Sequence, residues 1–260
     1  MLANGIPKSG TYFLHKLVES LRRWHGLRLH LIPGELYTMP VSGDFEYRSI
    51  PSSLAVRRIQ NGQFMPAHLP YSEGLESAIA RTSESRDLRH ILFIRDPRDT
   101  LVSYMRYVTH STSYQRTEVA RRRQRHLRGL ASDSERLAFV MRERLDNYSI
   151  KYDYSSYSPW LRSEHCHVIR FEEIYREFEQ SSEQPVGSVL SNLLDYLDVD
   201  LSREEIVALR QLVFRQGFTA SGASSIIGQY RRYFGKTHLA LFSEPLFQRG
   251  MEALGYDPKS

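Results

Sequence analysis

The stretch NGIPKSGTYFLHKLV, residues Asn4–Val18, decides the fold that we expect for this chain. It continues the apolar run Leu2–Ile6, which is typical of a buried β-strand. It leads into Thr11–Trp24, where apolar side chains recur at helical spacing. Gly5 and Gly10 bracket the turn between the two. The stretch therefore predicts a strand, a glycine turn and a helix.

The turn is a candidate anion site, because N–H groups at a glycine-bracketed helix start point outward and the helix dipole adds to their attraction. Its spacing is close to the nucleotide P-loop G-x-x-x-x-G-K-[ST], with one difference. Lys8 lies inside the turn and precedes Gly10 by two residues instead of following it. A lysine in that place lies against the bound group and is suited to neutralise charge on a leaving oxygen.

Composition limits the function classes. The chain has 260 residues, of which 41% are apolar and 25% charged, as in ordinary globular proteins. A net charge of +5 suits an anionic ligand but does not by itself indicate nucleic acid. The single cysteine, Cys166, excludes an internal disulfide, and no Cys/His cluster has zinc spacing. Met1 leads directly into the first strand and no apolar run is long enough to span a membrane, so we expect a cytoplasmic protein.

Strands and helices alternate along the sequence. HILFI, residues His90–Ile94, and HVIRF, residues His167–Phe171, are predicted buried strands. After the first of them, Asp96 is a predicted helix N-cap, with Asp99 at the capping-box position. The other predicted elements are a short helix at Leu54–Ile59, a strand at Gln63–Met65 and helices at Val186–Leu197, Ser202–Phe214 and Glu244–Leu254. This alternation predicts an α/β, P-loop-like three-layer fold, in which helices flank a central parallel sheet.

The sequence shows no domain boundary, and we expect residues 1–260 to form a single domain. The least core-like region is Thr109–Ser134, which contains TEVARRRQRHLRGL and little periodic apolar content. We expect it to be a mobile basic insertion or a poorly ordered helix. Its arginine-rich part, Arg121–Arg128, is either a solvated helix face or a basic lid for an anionic acceptor.

Five segments, in order along the chain, resemble the motifs of the sulfotransferases that use 3′-phosphoadenosine 5′-phosphosulfate (PAPS). PKSGT at Pro7–Thr11 resembles their 5′-phosphosulfate loop, and IRDPRDTLVSYMRY at Ile94–Tyr107 resembles their 3′-phosphate motif. HLP at His68–Pro70 resembles K-T-H-L-P, the segment with the catalytic base. VIRFEEI at Val168–Ile174 resembles L-x-Y-E-D-L, and GQYRRYF at Gly228–Phe234 resembles G-D-W-K-x-x-F.

This resemblance implies a PAPS-dependent sulfotransferase with 3′-phosphoadenosine 5′-phosphate (PAP) as product and no metal in the chemistry. His68 would be the general base and Lys8 would stabilise the leaving group. Backbone N–H groups of Ser9–Tyr12 would hold the 5′-phosphate, while Arg95 and Ser103 would hold the 3′-phosphate. The implied cofactor-binding residues are Lys8, Ser9, Gly10, Thr11, Tyr12, Phe13, Arg95, Ser103, Phe171, Phe218, Ser224, Arg231 and Arg232.

The chain departs from the family pattern at four places. Pro66 stands where K-T-H-L-P has lysine, and Phe13 stands where many members stack a tryptophan on adenine. Phe171 replaces the tyrosine of the Y-E-D turn. The R-K-G triplet that closes over the 3′-phosphate would align with Ala223–Ser225, which brings no charge. The Arg231–Arg232 pair, or an arginine of the basic segment, would then have to compensate.

Two other functions stay open at this point. The first is a P-loop kinase that uses ATP and magnesium, but no lysine follows Gly10, and HILFIRD has Arg95 at the strand end where a Walker-B aspartate would stand. The second is a non-catalytic protein of the same fold that binds PAP or a polyanion. For the enzyme, we expect a small-molecule, lipid or glycan acceptor, no nucleic acid partner, and a possible homodimer.

Overall fold

The computed structural model describes residues 1–25, 30–31, 52–57, 59–60, 62–115, 117–148, 152–179, 187–216 and 227–258. Its central sheet has five parallel strands in the order β2-β3-β1-β4-β5. These strands are β1 (Leu2–Gly5), β2 (His30–Leu31), β3 (Gln63–Ala67), β4 (His90–Ile94) and β5 (His167–Arg170). Because parallel strands end at the same edge, the segments that follow β1, β3 and β4 are neighbours.

Helices cover both faces of the sheet. One face packs against α1 (Thr11–His25), α7 (Phe171–Glu179), α8 (Ser188–Tyr196) and α9 (Arg203–Gln216). The other carries α2 (Ser52–Arg57), α3 (Glu73–Arg86), α4 (Pro97–His110), α5 (Glu118–Gly129), α6 (Asp133–Asp146), α10 (Tyr230–Tyr233), α11 (Lys236–Phe242) and α12 (Pro245–Ala253). Short 3-10 helices lie at Thr112–Tyr114 and Tyr154–Arg162. The predicted three-layer fold with a central parallel sheet is confirmed.

The strand β4 shows why the two faces form separate cores. All five of its residues are buried. Ile91 and Phe93 pack against the α1 side, whereas Leu92 and Ile94 pack against the α4 side. Burying each such side chain stabilises the fold by roughly 1.5–3 kcal/mol. A run without polar alternation is therefore what a strand needs when both of its faces are covered.

The structure differs from the prediction for Thr109–Ser134, since this region contains the regular helix α5 and not a poorly ordered one. Ala120, Gln124 and Leu127 are buried at helical spacing. The side-chain amide of Gln124 donates to the carbonyl oxygens of Val108 (3.1 Å) and Ser111 (3.0 Å). The buried face of α5 thus contains only two apolar residues, together with one polar residue whose amide is hydrogen-bonded to backbone carbonyl oxygens. Hydrophobic periodicity alone therefore missed it.

Side chains cap the starts of two helices, and the predicted N-cap at Asp96 is confirmed. Asp96 caps α4 by accepting from the N–H of Arg98 at 2.8 Å, and Pro97 begins the helix. Glu205 and Ser202 exchange hydrogen bonds as a capping box at the start of α9. In the part of the chain that the structure describes, no helix is both long enough and apolar enough to cross a membrane.

Candidate functional site

The loop between β1 and α1 is built around its two glycines. Gly10 has φ 127°, and a Cβ there would lie 2.7 Å from the ring of Phe171 and 3.0 Å from that of Phe93. A Cβ on Gly5 would lie 2.6 Å from the hydroxyl of Ser9. Neither position tolerates a side chain. The backbone can therefore approach a ligand closely here because nothing projects from these residues.

The donors that this loop presents differ in one respect from the prediction. The N–H of Ser9 donates to the carbonyl oxygen of Ile6 at 3.0 Å, so it belongs to the turn and is not available to a phosphate. The Ser9 hydroxyl, by contrast, is buried with no hydrogen-bond partner among the described residues. The N–H groups at the start of α1, from Thr11 and Tyr12, have no carbonyl partner within the helix. The loop thus presents a hydroxyl and helix-start N–H groups.

Lys8 lies in this loop in a left-handed backbone conformation (φ 76°) that residues other than glycine rarely adopt. Its ammonium lies 4.3 Å from the ring centre of Tyr107, on α4. Burial, with the positive charge of Arg95 as a smaller contribution, lowers the pKa of Lys8 to about 8. Two cations thus face the same small region, and an anion between them would relieve both effects.

Arg95 follows β4 directly and is 2% exposed. Its guanidinium lies 4.3 Å from the ring centre of Phe171, and its Nη2 lies 3.8 Å from Oδ2 of Asp99. Its Nε and Nη2 have no hydrogen-bond partner among the described residues. Burial lowers the pKa of Arg95, with Asp99 opposing this change. Buried guanidinium donors that make no hydrogen bond suit an oxyanion such as phosphate.

Asp99 has a function that the sequence did not reveal. Its buried carboxylate accepts from the N–H groups of Gly228 (2.7 Å) and Tyr230 (3.0 Å). The prediction that it completes a capping box is wrong, because the N–H of Asp96 donates to Glu172 instead, at 2.9 Å. Asp99 therefore holds the GQYRRYF segment against the start of α4, beside Arg95.

This contact brings the predicted compensating arginines toward the site. Arg231 and Arg232 lie on α10, and both are exposed. The guanidinium of Arg231 lies 5.4 Å from the ring centre of Tyr230. The other two residues predicted from this part of the chain, Phe218 and Ser224, lie outside the described residues.

His68 follows β3, next to the loop. Its Nδ1 lies 2.6 Å from the carbonyl oxygen of Gly5. Since a carbonyl only accepts, Nδ1 carries the proton, and the neutral ring has its lone pair on Nε2. Asn4 fixes this arrangement: its side chain accepts from the N–H groups of Gly5 (2.9 Å) and Leu69 (2.8 Å) and donates to the Leu69 carbonyl (3.0 Å). A buried asparagine at the end of an apolar strand was the signal that sequence analysis missed.

The remaining predicted residues fall into different places. Ser103 is half-buried on α4, one helical turn before Tyr107, and thus on the face that contacts Lys8. Phe171 is buried against Arg95. Phe13 is fully buried in the core, where its ring meets that of Phe178 edge-on at 5.0 Å. A stacking function for Phe13 would require this packing to open.

The site as a whole gathers positive charge at the carboxyl edge of the sheet. Lys8, Arg95 and the start of α1 attract anions, while the carboxylate of Asp99 is occupied by backbone donors. His68 lies at the same edge, with its Nδ1 against the carbonyl oxygen of Gly5. Among the described residues, no group of three or more His, Cys, Asp or Glu side chains is placed to hold a metal ion. This arrangement can bind an anion and accept a proton.

Comparisons with known proteins agree with this geometry. A model of the sulfotransferase domain family matches residues 1–216. Among solved structures, 22 chains match. One is the crystal structure of mouse sulfotransferase SULT7A1 complexed with PAP, with a TM-score of 0.57 and 18% sequence identity over 96% of this chain and 84% of that chain. At this identity the likeness shows the fold. None of the curated proteins matches.

Proposed function

The chain belongs to the sulfotransferase domain family, and from this membership we propose that it moves a sulfuryl group from PAPS to a hydroxyl or amine of an acceptor. The observation that carries this proposal is the pair of cations, half-buried Lys8 and buried Arg95, that follow neighbouring strands. Lys8 follows β1 and Arg95 follows β4, and two guanidinium nitrogens of Arg95 have no hydrogen-bond partner among the described residues. One nucleotide with phosphates at both its 3′ and 5′ positions would satisfy both cations.

The chain's residues would share the work of the transfer. Nε2 of His68 would take the proton of the acceptor hydroxyl as its oxygen bonds to sulfur. PAPS supplies the sulfuryl group, and the bond from sulfur to the bridging oxygen breaks as the new bond forms. The Lys8 ammonium would stabilise the negative charge that this oxygen gains. The Gly5 carbonyl would keep the His68 ring in the correct tautomer through its 2.6 Å contact with Nδ1.

The same residues suggest how the nucleotide is held. The Ser9 hydroxyl and the N–H groups at the start of α1 would bind the 5′-phosphate. Arg95 and Ser103 would bind the 3′-phosphate, and the exposed arginines of α10 would replace the charge of the missing R-K-G triplet. Phe13 is left out of this set because it is a core residue in the structure. The acceptor class that we propose stays broad: a small molecule, a lipid or a glycan.

Calorimetric titration of PAP, with AMP and ATP–magnesium as controls, tests this function. We expect tight PAP binding, weak AMP binding, and a large loss of PAP affinity in Arg95→Ala, since only PAP carries a 3′-phosphate. Arg122→Ala is the matched control, because it removes an arginine whose side chain is 75% exposed on α5. Preferential binding of ATP–magnesium would favour a kinase, and PAP binding without transfer to any acceptor would favour a non-catalytic binder.

A further inference from the structure

The ammonium of Lys8 lies over the aromatic ring of Tyr107. The strained backbone of Lys8 (φ 76°) sends its side chain toward α4, and the ammonium comes to lie 4.3 Å from the ring centre of Tyr107. An ammonium over an aromatic face is attracted by the ring quadrupole, and the attraction grows when water is excluded. Residues with φ in this region cluster at functional sites.

The ring of Tyr107 is itself held by a defined set of contacts. Tyr114 meets it edge-on, with ring centres 5.7 Å apart and an angle of 77° between the planes. The hydroxyl of Tyr114 accepts from Nη1 of Arg123 at 2.6 Å. The same nitrogen donates to the hydroxyl of Tyr104 at 2.8 Å, and Nη2 pairs with Glu143. An arginine of α5 thus fixes the orientation of the ring that Lys8 contacts.

We propose that Tyr107 is a positioning residue for Lys8. The ring face of Tyr107 holds the Lys8 ammonium at the loop where the leaving oxygen would form. This inference rests on the proposed function. The ring attracts only the protonated amine and therefore raises the pKa of Lys8. This effect opposes those of burial and of Arg95, which both lower this pKa. The ring therefore keeps Lys8 both in place and charged. It also gives a function to part of the arginine-rich segment, because Arg123 supports the ring through Tyr114.

The first test measures the titration of Lys8 by NMR of ¹⁵N-labelled lysine side chains. The chain has five lysines, and Lys8→Gln assigns the signal. Tyr107→Phe keeps the aromatic face, so we expect an unchanged pKa of Lys8. Tyr107→Leu keeps an apolar cover without the quadrupole, so we expect this pKa to fall by roughly half a unit to one and a half units. Equal values in the two variants would overturn the proposal.

A second series guards against a change of packing in Tyr107→Leu. Phenylalanine with one, two or five ring fluorines at position 107 keeps the shape while weakening the quadrupole step by step. We expect the pKa of Lys8 to fall with each step. In transfer assays we expect kcat to fall in parallel by several-fold while KM for PAPS changes less than about twofold. A pKa of Lys8 that does not change with ring fluorination would contradict the proposed positioning function of Tyr107. A lack of PAP binding would instead contradict the proposed reaction, since the NMR titration needs no ligand.

Discussion

Binding of PAP should take up a proton at alkaline pH, because the environment of Lys8 changes when an anion arrives. Burial lowers the pKa of Lys8 from 10.5 to about 8. Roughly nine tenths of Lys8 is then neutral at pH 9, and roughly one tenth at pH 7. The 5′-phosphate of PAP favours the ammonium, and we expect the pKa in the complex to return to about 10.5. Binding would then take up about 0.9 proton at pH 9 and about 0.1 proton at pH 7.

Calorimetry in buffers of different ionisation enthalpy measures this proton uptake. The uptake is the slope of the observed binding enthalpy plotted against the ionisation enthalpy of the buffer. The phosphates of PAP are already ionised above about pH 7, so the ligand does not supply the effect. The affinity should fall by about tenfold per pH unit above pH 8 for the same reason. Lys8→Arg is the control, since a guanidinium stays protonated throughout this range. A wild-type protein without proton uptake at pH 9, or an equal uptake in Lys8→Arg, would show that Lys8 does not titrate on PAP binding.

Three further predictions follow from the described contacts. His68→Gln should lower kcat for transfer by about 10²-fold or more while leaving PAP affinity unchanged in calorimetry; a small loss of kcat would remove His68 as the base. Gly10→Ala should lower the free energy of unfolding by about 1–3 kcal/mol in denaturant melts, because φ is 127° and the new Cβ would lie 2.7 Å from the ring of Phe171. Gly129→Ala is the control and should not destabilise the protein, because a Cβ there has nothing within 4 Å. Burial lowers the pKa of His90 to about 3, so as the pH falls the histidine takes up a proton in the unfolded state but not in the folded state. The free energy of unfolding should therefore fall by about 2 kcal/mol between pH 7 and pH 5. An equal loss in His90→Leu would show that another group is responsible.

Strands β1, β3, β4 and β5 could be predicted because their sequence signals are local, and so could helices α1, α4 and α9, whereas β2, α3 and α6 are not predicted. The run His90–Ile94 matches β4 residue for residue, and the N-cap at Asp96 is where the pattern places it. Helix α5 has no clear hydrophobic pattern because its inward face uses Gln124, whose amide donates to carbonyl oxygens of the preceding segment. That pairing is a tertiary contact, and a hydrophobic pattern does not record it.

The site divides in the same way. The sequence motifs indicate Lys8, His68 and Arg95 as candidate site residues, because each follows a predicted strand. What they do not reveal is how these residues are held. Asn4 joins the loops after β1 and β3 across 65 residues of sequence, and Asp99 binds Tyr230 from 131 residues away. Such contacts depend on which strands are neighbours in the sheet, and local patterns do not contain that order.

The charges at this edge of the sheet also separate the proposed transfer from a kinase reaction. Magnesium prefers carboxylate and other oxygen ligands, whereas the residue that follows β4 here is Arg95. The next acidic residues are already engaged: Asp96 pairs with Arg98 at 2.7 Å, and Asp99 accepts two backbone N–H groups. Lys8 is protonated in the unfolded chain up to pH 10.5 but resists protonation above about pH 8 in the fold, so its burial costs roughly 3 kcal/mol at neutral pH. An anion that lies against Lys8 would offset this cost without any metal ligand. These charges therefore favour the proposed transfer from PAPS, in which the phosphates of the ligand would meet cations directly.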